Sequence, residues 1–168
     1  MKLFAVFVGG NHPRANVELH DVRFCVGETL EDTIPQLRAA WWGTPQSLHI
    51  DGYAELTHVD RRPIRVVSGP VPAGPRLALW FINVGGYTPE LFGEQHHYLF
   101  MTGTEKSEVW TRARALSPEW TGRHKDNFTA IDDILEVSTL LPGNLHLDIG
   151  EPDPSVPDPR IVSDYTEL

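Results

Sequence analysis

The sequence predicts an α+β fold: two tandem ββαββ-like repeats packed as one pseudo-twofold unit, with mostly antiparallel sheet and two helices. Three observations predict it. First, an offset of 76 residues brings Leu3 onto Leu79, Val8 onto Val84, Gly9 and Gly10 onto Gly85 and Gly86, Glu18 onto Glu94, His20 onto His96, Phe24 onto Phe100 and Gly27 onto Gly103. Second, each copy shows strand-like patterning followed by one helical stripe. Third, 168 residues suit one compact domain or two small ones, and a copy with a single helix is marginal alone, so the two should share a core. The boundaries read as copy one over 1–68, a Pro/Gly linker over 69–75, copy two over 76–150, and an acidic Pro-rich tail over 151–168.

The first strand, Leu3 to Val8, is apolar on both faces, as befits an inner strand covered on both sides; Leu77 to Ile82 matches it. The second strand alternates. Val22, Phe24 and Val26 share a face and are expected to point at the helix, with Tyr98 and Phe100 as counterparts. A helix follows, its start marked by Thr29 and Asp32 in capping-box spacing and its stripe by Leu30, Ile34, Leu37 and Trp41. Pro35 implies a late start or a kink, and Gly43 a C′ stop. In copy two, Thr104, Glu105 and Glu108 precede the stripe Val109, Trp110, Ala113 and Leu116, which Pro118 closes. Each copy should end in a hairpin-like pair: Tyr53 to Val59 with Ile64 to Val67, and Ile131 to Leu141 with Leu145 to Ile149.

The linker holds three prolines and two glycines between Gly69 and Pro75 and cannot continue a helix or a central strand. The tail carries five acids against Arg160 and is expected to be extended or mobile. The net charge of −9 divides as −1 for residues 1–74, −4 for 75–150 and −4 for the tail, which argues against a phosphate-tracking nucleic-acid surface. No apolar run is long enough to span a bilayer and no signal peptide is evident, so the expected compartment is the cytoplasm. The single Cys25 excludes an intramolecular disulfide and reads as a buried thiol.

Three constellations carry candidate chemistry. Gly9-Gly10 and Gly85-Gly86 stand where an inner strand ends, and serve either a turn or close approach of a ligand or backbone. Glu18 and His20, like Glu94 and His96, are two apart on a strand, so each carboxylate can lie beside its imidazole, for structure, ligand binding or acid–base work. His49 with Asp51, aligned after a one-residue adjustment with His124 and Asp126, repeats that spacing. Together each copy offers two imidazoles and two carboxylates, a set suited to a divalent metal if it converges; the cofactor is otherwise unknown and the spacing commits no metal ligand. No dinucleotide fingerprint, Walker loop or nucleophile elbow is present.

The stretches Lys2 to Gly10, Val17 to Asp21, Gly43 to Pro45 and Leu48 to Asp51 resemble a bacterial family built on a domain of unknown function, number 1543. That family carries one or two copies of a short domain, which implies tandem copies here and transfers no catalytic residue. Copy two departs from copy one at Asp21, where it has His97, and at Asn11, where it has Tyr87, so paired sites need not be equal. The leading expectation is a small-ligand or protein binding module with a cleft between the Gly-Gly loops and the Glu-x-His strands, without nucleic-acid or membrane partners and with homo-oligomerisation left open. The alternatives are a metal-dependent, hydrolase-like enzyme using the same His, Glu and Asp residues, and an assembly protein.

Overall fold

A computed structural model describes residues 1–116, 131–157 and 159–168. In chain order the elements are β1 (Lys2–Gly10), β2 (Leu19–Gly27), a 3₁₀ turn (Glu31–Thr33), α1 (Ile34–Ala40), a 3₁₀ turn (Pro45–Ser47), β3 (His49–Glu55), β4 (His58–Val59) and β5 (Arg62–Ser68). There follow β6 (Ala78–Gly86), β7 (Gln95–Gly103), α2 (Lys106–Leu116), β8 (Ile131–Glu136), a 3₁₀ turn (Val137–Leu140), β9 (Leu145–Ile149), β10 (Arg160–Val162) and β11 (Thr166–Glu167). The fold is α+β, its sheets antiparallel throughout the described pairings and its helices short. Two compact units form: residues 1–70 with 141–168, and residues 71–140.

In the first unit, β1 lies between β2 and β3, and β10 and β11 add to the far edge of β3. Alternation on β1 decides what each face buries. Phe4, Val6 and Val8 form a core with Cys25, Leu37, Leu48 and Ile50, and this is the face that α1 covers. Strand β2 therefore presents Cys25 to the helix, and Val22, Phe24 and Val26 point the other way, opposite to the sequence expectation. The pairing Phe4↔Cys25 settles it: residues paired in register share a face. Burial pushes the Cys25 thiol up to about 11, which keeps it protonated at neutral pH.

Pro35 has its anticipated effect. The chain makes a 3₁₀ turn first, and α1 begins at Ile34 with proline in its opening turn, where the missing N–H costs nothing. Asp32 reaches back and accepts hydrogen bonds from the backbone N–H groups of Thr29 and Glu28, at 2.9 and 3.0 Å. Those bonds, Thr29 first, hold its carboxyl below the usual value of 3.8. A depressed folded-state value stabilises the fold above pH 3.8, and the gain disappears as pH falls through the lowered value. Asp32→Asn is accordingly expected to lower the melting temperature at neutral pH. The gap from the parent should close in acid; a gap unchanged by acidification contradicts the assignment. Gly43 is not the helix stop. The helix ends at Ala40, and Gly43 instead makes room for Trp41, whose ring a Cβ there would meet at 2.5 Å.

Strand β3 ends at Glu55, and β4 and β5 then form a tight hairpin whose Asp60 and Arg61 take left-handed φ values of 53° and 61°. The second expected hairpin does not form, because β9 pairs with β5, from Ile64↔Ile149 to Ser68↔Leu145. The tail is likewise more ordered than its composition suggests. Arg160–Val162 and Thr166–Glu167 pair with β3, and Leu168 packs against the first core.

In the second unit, β6 lies between β7 and β8. Its core joins Ala78, Trp80, Ile82 and Val84 to Met101, Val109, Ala113 and Ile134, with Leu99 and Trp110 packed against it. Leu116 of the expected stripe is exposed.

Candidate functional site

The site in the first unit begins with one missing side chain. Gly9 pairs with His20 on β2 and with His49 on β3, so the three stand in one row across the sheet. Neighbouring strands are about 4.8 Å apart, which sets the two histidine backbones about 10 Å from each other with nothing but hydrogen between them. The His49 imidazole leans over the glycine. A Cβ at Gly9 would meet His49 Nε2 at 2.6 Å and Asp51 Oδ2 at 2.7 Å. Gly9 and Gly10 belong to β1 itself, and neither has positive φ. They serve close approach rather than a turn, Gly10 making room for Trp41 and Ser47.

Asp51 reaches the site through a bulge. Phe7 pairs with Gly52 but Val8 pairs with Ile50, which leaves Asp51 as the extra residue on β3. Such a residue bends its strand and re-aims its own side chain. Glu18 stands just before β2 and completes the group.

Four side chains therefore converge. His49 Nε2 lies 3.3 Å from Glu18 Oε1 and 3.3 Å from Asp51 Oδ1. His20 Nε2 lies 3.6 Å from Glu18 Oε2 and 3.4 Å from Asp51 Oδ2. These are ion-pair distances, yet Asp51 Oδ2 is buried with no hydrogen-bond partner. His49 is 5 % exposed and its Nδ1 lies 2.9 Å from the Ser47 carbonyl oxygen. That carbonyl can only accept, so Nδ1 carries a proton and donates to it, which leaves Nε2 as the ring atom that faces the carboxylates. Tyr165 lies over the same ring at 4.6 Å, and Phe7 stacks on His20 at 5.4 Å.

The sequence spacing found Glu18, His20, His49 and Asp51, but not Ser47, Tyr165 or Phe7. Ser47 acts through its backbone, which leaves no trace in residue identity, and Tyr165 sits in the segment read as an extended or mobile tail. In the second unit, Gly85 pairs with His96 and Gly86 with Gln95; His96 Nδ1 lies 3.1 Å from Asn83 Oδ1, and its ring stacks near Tyr98 at 6.4 Å. Glu94 stands just before β7. His124 and Asp126 lie outside the described residues. Their alignment with His49 and Asp51 does not agree with the strand register. Val84↔Ile131 and Asn83↔Asp133 reproduce Val8↔Ile50 and Phe7↔Gly52, bulge included, at an offset of 81 on the third strand.

Residues 15–66 match the family described as Domain of Unknown Function (DUF1543). The chain is also similar to a crystal structure of a protein Il1583 from Idiomarina loihiensis, with 34 % identity and a TM-score of 0.69, over 99 % of this chain and 97 % of that one. No curated protein matches the chain. No helix among the described residues is long and apolar enough to cross a membrane. With one third of its residues identical over nearly the full length of that solved relative, and with residues 15–66 inside the domain description, the chain belongs to the DUF1543 family.

Proposed function

We propose that the protein is a binding module whose site is the group Glu18, His20, His49 and Asp51 of the first unit, and that the ligand is a small cation. One observation carries this reading. Two imidazoles and two carboxylates face one another at 3.3–3.6 Å, and the Asp51 Oδ2 among them has no hydrogen-bond partner. Orphaned acceptors in a protein cost free energy unless something else satisfies them. Two carboxylates directed at one place favour a cation over an anion.

The two units derive from a duplication, in this reading. Its support is the coincidence of register at an offset of 76: Lys2↔Gly27 through Gly10↔Leu19 on β1 and β2, and Ala78↔Gly103 through Gly86↔Gln95 on β6 and β7. The shared third-strand bulge adds to it.

The test is the nuclear magnetic resonance of ¹⁵N-labelled histidine rings in the full chain, titrated separately with methylguanidinium chloride and zinc chloride. At least one cation should move the His20 and His49 signals together and leave His58 and His146 in place. Signals that stay still with both cations, or four rings that shift alike, would refute the reading.

A further inference from the structure

The donor set of this site points to one class of cation. We infer that it takes a divalent transition metal of the zinc type, held by His20 Nε2, His49 Nε2 and one oxygen each of Glu18 and Asp51. The inference rests on the binding reading above and names its ligand.

Donor chemistry is the first argument. An organic cation supplies N–H groups and is satisfied by oxygen acceptors alone, so it gives no reason for the Nε2 atoms of two imidazoles to converge on the same two carboxylates. A borderline metal does, since zinc takes imidazole nitrogen and carboxylate oxygen together, commonly four donors in a tetrahedron. Spacing is the second. Donors about 2.1 Å from one centre at tetrahedral angles stand about 3.4 Å from each other. His49 Nε2 stands at that spacing from Glu18 Oε1 and Asp51 Oδ1, 3.3 Å each, while His20 Nε2 stands 3.6 and 3.4 Å from the other oxygen of each carboxylate, Glu18 Oε2 and Asp51 Oδ2.

The surroundings of His49 are the third argument. A metal-bound imidazole gives its other N–H to a carbonyl or carboxylate, which fixes the ring and its tautomer. His49 Nδ1 has that partner in the Ser47 carbonyl at 2.9 Å, and Tyr165 covers the ring. The fourth is Gly9. A side chain there would occupy the space in which His49 Nε2 and Asp51 Oδ2 come together.

Among the described residues, no group of three or more His, Cys, Asp or Glu side chains is already placed to close a shell around a metal ion. The side chains divide into a fixed half and an adjustable half. Those of His49 and Asp51 are 7 % and 26 % exposed, whereas those of Glu18 and His20 are 39 % and 41 % exposed and can rotate to complete it. In the sequence, the third-strand offset of 81 carries Asp51 to Asp132 but His49 to Ala130. The second copy therefore lacks the second imidazole at that position, and the stoichiometry is one metal per chain.

The experiment is a zinc chloride titration of the chelator-treated full chain, in competition with a chromogenic chelator. One equivalent should bind. His20→Gln and Glu18→Gln alter half-exposed side chains and keep the fold, which far-ultraviolet circular dichroism checks. Each should weaken zinc about 100-fold or more, at the upper end of what losing even an outer partner of a metal ligand costs. His96→Gln in the second unit should leave affinity unchanged. Zinc held equally by the parent, His20→Gln and Glu18→Gln overturns the assignment. If zinc fails to bind while methylguanidinium moves the His20 and His49 rings, the metal is wrong and the binding reading stands. If neither binds, both fall.

Discussion

Gly9→Ala should nearly abolish cation binding while costing only about 1–3 kcal/mol of stability, the usual range for one extra carbon in a filled space. The new Cβ would meet His49 Nε2 at 2.6 Å and Asp51 Oδ2 at 2.7 Å, so one of them must move. Both atoms belong to side chains and not to the backbone, so the clash is met by displacing one of those side chains while the sheet stays in place. That displacement also pulls apart the side chains that β2 and β3 bring together across Gly9. Affinity, not stability, is thus the sensitive readout. A Gly9→Ala protein that folds and binds zinc as tightly as its parent would show that the glycine is there for backbone reasons alone.

Leu37→Ala is expected to give the largest loss of stability, about 2–5 kcal/mol, from lost apolar burial and the cavity left behind. Helix α1 has seven residues, no side-chain cap at its start, and Leu37 as its buried residue. Helices this short hold their shape through packing rather than propensity. The consequence reaches the site, because the chain after α1 passes through Trp41 and Leu48, members of the same core, before it delivers His49. Denaturant unfolding should show a lower midpoint, with zinc affinity falling alongside. A loss below about 1 kcal/mol would mean that α1 is not docked through this residue.

The sequence made the inner strands β1 and β6, both helices and the separate pairs Glu18–His20 and His49–Asp51 legible, because hydrophobic periodicity and i, i+2 spacing are local properties, whereas the meeting of the two pairs depends on strand register. It misjudged what depends on distant partners. Which face of β2 meets α1 is decided by the pairing Phe4↔Cys25, and Phe24 is apolar enough to suit either face. The partner of β9 is β5 and not β8, a choice that local turn residues such as Pro142 and Gly143 do not encode. The tail looks unable to fold by itself, and it does not have to: β10 and β11 borrow the edge of β3 for their hydrogen bonds. The offset of the third strand was equally hidden. His49-x-Asp51 and His124-x-Asp126 look alike as strings, whereas the strand registers set Ile50 opposite Val8 and Ile131 opposite Val84.

Crystals of the zinc-loaded chain, measured on both sides of the zinc absorption edge, address the central claim directly. The account predicts an anomalous peak above Gly9, about 2.0–2.1 Å from Nε2 of both His20 and His49 and about 2.0–2.2 Å from an oxygen of Glu18 and of Asp51. A peak bound to neither histidine, or crystals soaked in zinc that show no peak there, would contradict it.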